Sequence, residues 1–253
     1  MSKNINKVFL FLICYLLLLS CTASTTNFYI KEDRSKFPIK SFVHIKATIN
    51  FLRCVSIEKQ SICIDEPHTS TASGVSIGSI QDSSIILTAG HLCEVDKEEL
   101  PGDVKSFSIS ITVKDYLGNT APAKIIMSSM AKPDICSLII DGHKIEGLKV
   151  ATKEPDVGTT VYSMSAPFGI FHPPAVPILQ GIYSGPRAKK DFSVVTIRAT
   201  GGSSGSAILN ERMELIGILF ATHPAFNTIT LISTYPLTTK FIFDTLQKVK
   251  SSH

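Results

Sequence analysis

The chain has 253 residues, 44% of them apolar, with 25 basic and 21 acidic side chains and a formal net charge of +4. That apolar content excludes a disordered chain and is ample for one large all-β domain or two smaller ones. The small charge excess is not gathered into a basic block, which argues against nucleic acid as a partner.

The chain opens with "MSKNINK", which supplies Lys3 and Lys7, and continues with a twelve-residue apolar run, "VFLFLICYLLLL". Residues 1–20 therefore read as an export signal, since the run is short for a membrane-spanning helix. Its end, Leu18-Leu19-Ser20-Cys21, resembles a bacterial lipobox, which would make Cys21 an acylated first residue. The alternative is ordinary signal cleavage after a small residue such as Ala23. The expected location is outside the cytoplasm, as a lipoprotein on the periplasmic or outer surface or as a secreted protein. Residues 21–38 are polar and mixed, as in a tether.

Export gives the remaining cysteines meaning. Besides Cys14 in the signal and Cys21, the chain has Cys54, Cys63, Cys93 and Cys136. An even number in an exported chain predicts two disulfides, with three connectivities open. Cys54 and Cys63 are placed as a local pair closing a hairpin or loop, which leaves Cys93 with Cys136. Buried free thiols are the alternative.

Short strand-like runs follow, separated by turn signals. Between residues 39 and 150 they are "SFVHIKATINFL", "ASGVSIGSI", "SSIILTAG", "SFSISITVKDYLGN" and "CSLIIDG". A break falls near residues 149–158, in "KVATKEPDVG". Residues 151–253 then supply "TTVYSMSA", "AVPILQGIYSG", "FSVVTIRA", "SAIL", "ELIGILFAT" and "TITLIST". After Pro236, Phe241, Ile242, Phe243, Leu246 and Val249 predict a short helix. Many short strands and one terminal helix predict an all-β barrel architecture.

The stretch "ATGGSSGSAIL" (residues 199–209) carries the chemistry. Clustered small residues allow tight turning and close approach of the backbone to a ligand. Gly201-Gly202-Ser203-Ser204-Gly205 fits a G-x-S-x-G elbow with Ser203 as nucleophile, but an elbow requires a following helix, and strand-like residues follow instead. Gly202-Ser203-Ser204-Gly205-Ser206 fits a second pattern, with Ser204 as nucleophile. A flexible Gly/Ser loop without chemistry is the third reading. The second pattern demands a histidine and an acid upstream. "SSIILTAGHLC" ends an apolar strand at His91, and "KPDICSLII" sets Asp134 before another.

With Thr88-Ala89-Gly90-His91, Asp134 and Gly202-Ser203-Ser204-Gly205-Ser206 in that order, the chain resembles the chymotrypsin/trypsin-like serine proteases. Ser73-Gly74-Val75 and "APFG" (residues 166–169) add to the likeness, and "TGGSSGSAILNERMELIGI" is especially similar to bacterial glutamyl endopeptidases. The resemblance covers roughly residues 40–245 and implies two six-stranded Greek-key β-barrels packed together, with His91 and Asp134 in the first and Ser204 in the second. It implies a polypeptide substrate, a His91–Asp134–Ser204 triad, and an oxyanion hole formed by the N–H groups of Gly202 and Ser204. No cofactor is expected. His91 and Cys93 lack the further ligands that a zinc site needs, and no other histidine has a comparable setting. A protease-fold binding module, tethered to a membrane and without turnover, is the second functional reading.

The chain departs from the family at two places. Ser203 occupies the position where many animal members carry an acidic residue that captures a new N-terminus, so that mode of activation is absent in its usual form. By resemblance, the walls of a specificity pocket are residues 198–202, with Arg198, Ala199 and Thr200, residues 220–222, with Phe220 and Ala221 beside Leu219, and a stretch near residues 228–231. Leu219 replaces a histidine and Ala199 a threonine of the glutamyl endopeptidases. The apolar residues favour a small or medium apolar side chain, whereas Arg198 at the pocket base would favour an acid.

Overall fold

Val43, Ile45 and Ala47 alternate with the more exposed His44 and Lys46, a period of two that turns one face of a strand inward. The computed structural model of the protein describes residues 37–57, 60–98, 100–189, 191–223 and 225–251. The expected export signal, Cys21 and the expected tether up to residue 36 lie outside the described residues.

Twelve strands form two closed antiparallel barrels. The first contains β1 (Phe42–Ile57), β2 (Gln60–Ile80), β3 (Ser83–Thr88), β4 (Val104–Asp115), β5 (Thr120–Ser129) and β6 (Ile135–Ile140), in the order β1-β2-β3-β6-β5-β4. The second contains β7 (Thr160–Met164), β8 (Ile178–Pro186), β9 (Ser193–Val195), β10 (Ala207–Leu209), β11 (Leu215–His223) and β12 (Phe226–Ile232), in the order β10-β11-β12-β9-β8-β7. Among the described residues one α-helix, α1 (Tyr235–Ser251), follows β12. This is the chymotrypsin-like arrangement that the resemblance implied.

Each barrel has its own apolar filling. Val43, Ile45, Ile86 and Leu138 belong to the first, and Val161, Val195, Ile208 and Ile216 to the second. A third cluster joins them, with Phe42, Leu87 and Ile135 meeting Met164, Leu209 and Ile218. Fully burying one such side chain stabilises the fold by about 1.5–3 kcal/mol. Phe37 also enters this seam, its ring 5.2 Å from that of Tyr162.

The helix fastens the same seam. Phe241 and Ile242 are buried in the joint cluster, and Thr245 donates a hydrogen bond to the Ser137 hydroxyl of β6 at 3.1 Å. Phe243 is 61% exposed, because the residue after Phe241 and Ile242 is turned about 100° further round the helix, out of the buried arc. Among the described residues no helix is long and apolar enough to cross a membrane.

Both disulfides form. Cys54 and Cys63 face each other across the β1–β2 hairpin, and Cys93 is joined to Cys136 of β6. The hairpin overshoots its barrel: β2 pairs with β1 from Gln60 onward, but its ladder to β3 begins only at Val75. Arg53 steadies the overshooting part, bonding Glu66 at 2.8 Å and Asp103 at 2.7 Å.

Candidate active site

Strand β3 ends at Thr88, and a short 3-10 turn (Gly90–Leu92) sets His91 at the mouth of the first barrel. Asp134 lies just before β6, the strand paired with β3, so the ladder brings the two residues together. The Nδ1–H of His91 donates to Asp134 Oδ2 at 3.0 Å, and its main-chain N–H donates to Oδ1, also at 3.0 Å. The Asp134 side chain is 13% exposed and that of His91 35%. One carboxylate thus fixes both the backbone and the ring of the histidine, leaving Nε2 as the ring's open edge.

Gly90 makes this approach possible. A Cβ there would overlap the Ser129 carbonyl and stand 3.0 Å from Asp134 Oδ1. Gly90→Ala should therefore destabilise the protein by at least ~1–3 kcal/mol, the usual cost of overpacking. Thermal unfolding checks this; a melting temperature equal to the parent's would show that the contact yields freely. The disulfide from Cys93 to Cys136 and the Glu94 carboxylate, which accepts from the Ser128 hydroxyl and the Met130 N–H, brace the same two segments.

The turn carrying the serines is held from several sides. The N–H of Gly205 donates to Leu219 O at 2.7 Å, and the Ser204 carbonyl accepts from Ser73 N–H at 2.8 Å. Gly202 and Gly205 have φ of 88° and 83°, a region glycine enters without strain. A Cβ on Gly205 would overlap Ser73 O and the Thr88 hydroxyl, so this turn presses against the end of β3, next to the segment bearing His91. Ser203 is fully buried, its Oγ accepting from Thr200 N–H at 3.2 Å, whereas Ser204 is half-buried. The Ser203 N–H bonds Thr200 O, but the N–H groups of Gly202 and Ser204 have no hydrogen-bond acceptor among the described residues. Strand β10 follows the turn, in place of the helix that an elbow at Ser203 would need.

Ser73 ties these parts together, a role that the S-G-V likeness hinted at without explaining. Its hydroxyl donates to Gly202 O at 2.9 Å and accepts from Ala166 N–H at 2.8 Å, while its carbonyl accepts from Thr88 Oγ1 at 2.8 Å. The "APFG" turn reaches the serine turn through Phe168 N–H, which donates to Gly201 O at 2.6 Å.

The expected pocket residues are distributed unevenly. Ala199 and Leu219 are buried among the apolar residues of the second barrel, and Thr200, Phe220 and Ala221 are half-buried. Phe220 packs against the core of the first barrel. Arg198 is exposed and forms no ion pair among the described residues. No group of three or more His, Cys, Asp or Glu is gathered as metal ligands among those residues.

A family model described as a trypsin-like peptidase domain matches residues 72–218. No curated protein matches the chain. Among solved structures, the serine endoprotease from Yersinia pestis superposes with a TM-score of 0.58 at 21% identity, over 83% of this chain and 64% of that one. At that identity the likeness concerns the fold alone, and the chain spans less than two thirds of that protein.

Proposed function

The chain belongs to the trypsin-like peptidases, and from that premise we propose that it is an exported serine endopeptidase. His91 and Asp134 are its general base and orienting acid, and Ser204 is its nucleophile. The observation that carries this reading is the His91–Asp134 pair beside a serine turn whose N–H groups at Gly202 and Ser204 are uncommitted among the described residues.

The chemistry follows from these positions. A serine hydroxyl is a weak nucleophile until a base accepts its proton. His91 Nε2 takes the Ser204 proton as Oγ attacks the scissile carbonyl carbon. Asp134 keeps the other ring proton on Nδ1 and stabilises the imidazolium that forms. The developing oxyanion accepts hydrogen bonds from Gly202 and Ser204 N–H, and each such donor supplies ~2.7–4 kcal/mol of transition-state stabilisation. The imidazolium then gives its proton to the departing amine, the C–N bond breaks, and Ser204 is left acylated. Water, activated by the same histidine, hydrolyses the ester.

In this reading residues 39–150 form the His91–Asp134 half and residues 151–253 the Ser204 half. Cys21 carries lipid and fastens the enzyme to a membrane. The two disulfides support export, because such bonds persist in oxidising compartments. A fluorophosphonate probe should label the wild-type protein and not Ser204→Ala. An unlabelled but properly folded wild type would return the chain to the binding-module reading.

A further inference from the structure

Asp134 sits at the end of a short turn between β5 and β6, and its aim at His91 depends on where that turn is held. From the first barrel, Glu94 holds the start of the turn at Met130. Its middle is held from the other barrel. Lys132 Nζ, two residues before Asp134, is 3.0 Å from Asp191 Oδ2, and Asp191 lies in the turn between β8 and β9. Among the described residues this is the one ion pair that joins a turn of one barrel to a turn of the other.

The Asp191 side is built to receive a cation. Its carboxylate is only 7% exposed, although it lies in a surface turn, and Oδ1 is buried without a hydrogen-bond partner among the described residues. Arg187 Nη1 approaches Oδ2 at 3.3 Å from within the same turn. Arg187 is itself fixed, donating its N–H to Phe192 O at 2.9 Å and placing its guanidinium 5.3 Å over the Phe192 ring. The hydrogen bond from Lys132 holds the Asp191 carboxyl below its ordinary range, against the opposing effect of burial. Arg187 supplies one cation from within the turn and Lys132 a second from the other barrel, so the shared carboxylate ties the two turns together.

We propose that Lys132 and Asp191 are positioning residues for the catalytic acid, through which the β8–β9 turn of the second barrel sets the aim of Asp134 at His91. The proposal rests on the triad reading of the preceding section. It adds a dependence of the first-barrel half of the triad on a second-barrel turn that carries none of the reacting groups.

The test compares wild type, Lys132→Met, Asp191→Asn and the double variant on a peptide substrate, with kcat, KM and melting temperature measured for each. Each single change should lower kcat by roughly 5–10-fold, short of the ~10²-fold that a 1 Å misplacement costs, with KM nearly unchanged. The double variant should be no slower than Asp191→Asn, because that change already removes the interaction with Lys132. Lys132→Arg should restore kcat. Wild-type kcat in Lys132→Met, or a loss in the double variant well beyond that of Asp191→Asn, overturns the proposal. Loss of melting temperature with unchanged kcat per folded molecule overturns it as well. Full activity in Ser204→Ala, run alongside, marks failure of the triad reading itself.

Discussion

Ser204→Ala should lower kcat by on the order of 10⁴–10⁶-fold, while its melting temperature stays close to wild type. The size of the loss follows from what is removed: without Oγ there is no acyl-enzyme, and only the oxyanion donors and substrate binding remain. Stability is spared because no hydrogen bond of the Ser204 hydroxyl to the described residues supports the turn, which is held by backbone groups and by the hydroxyls of Ser73, Ser203 and Ser206. Ser203→Ala should behave in the opposite way. Ser203 is fully buried, and its Oγ accepts from Thr200 N–H. Leaving that donor unsatisfied should cost ~1–3 kcal/mol of stability, with substantial activity retained. Steady-state kinetics and thermal unfolding of the two variants decide the matter. An active Ser204→Ala together with a dead Ser203→Ala would reassign the nucleophile.

Asp134→Asn should reduce kcat by about 10⁴-fold with the fold intact. The asparagine carbonyl can still accept the His91 main-chain N–H, so the backbone contact survives. The amide nitrogen, however, is a donor facing Nδ1, where the carboxylate was an acceptor. It would place the ring proton on Nε2, the nitrogen that has to accept the proton of Ser204. A crystal structure with unchanged His91 geometry and the kinetic loss together would establish a tautomer effect. A variant within tenfold of wild-type kcat would remove Asp134 from the triad.

The three motifs were legible because each is local: a strand-ending T-A-G-H, an aspartate before an apolar strand, and a serine among glycines. The barrels were legible where one face is buried and the other is not. Strand β5 was missed, since "TAPAKIIMSS" contains Pro122 and is exposed or half-buried throughout. The first half of β2 was missed for a similar reason: "QSICIDEPHTST" lies beyond the barrel and has no core face to impose alternation. The disulfides were read correctly by spacing and remainder. Ser73 as the tie between strand and serine turn was not legible, because its partners lie 93 and 129 residues away. The same distance in sequence hides the Lys132–Asp191 contact.

A closed barrel has no free edge, but the overshooting hairpin restores one. From Gln60 to Ser70, β2 is paired on one side only, so its outer N–H and C=O groups present a template that a strand from another molecule could extend. The residues on that stretch work against such growth. Pro67 has no N–H to offer a newcomer, and Asp65 and Glu66 just before it place carboxylates beside the unpaired backbone. The same polar run that concealed this strand from its sequence thus guards the molecule against sheet-to-sheet polymerisation, with the Cys54–Cys63 bond keeping the hairpin shut at its far end.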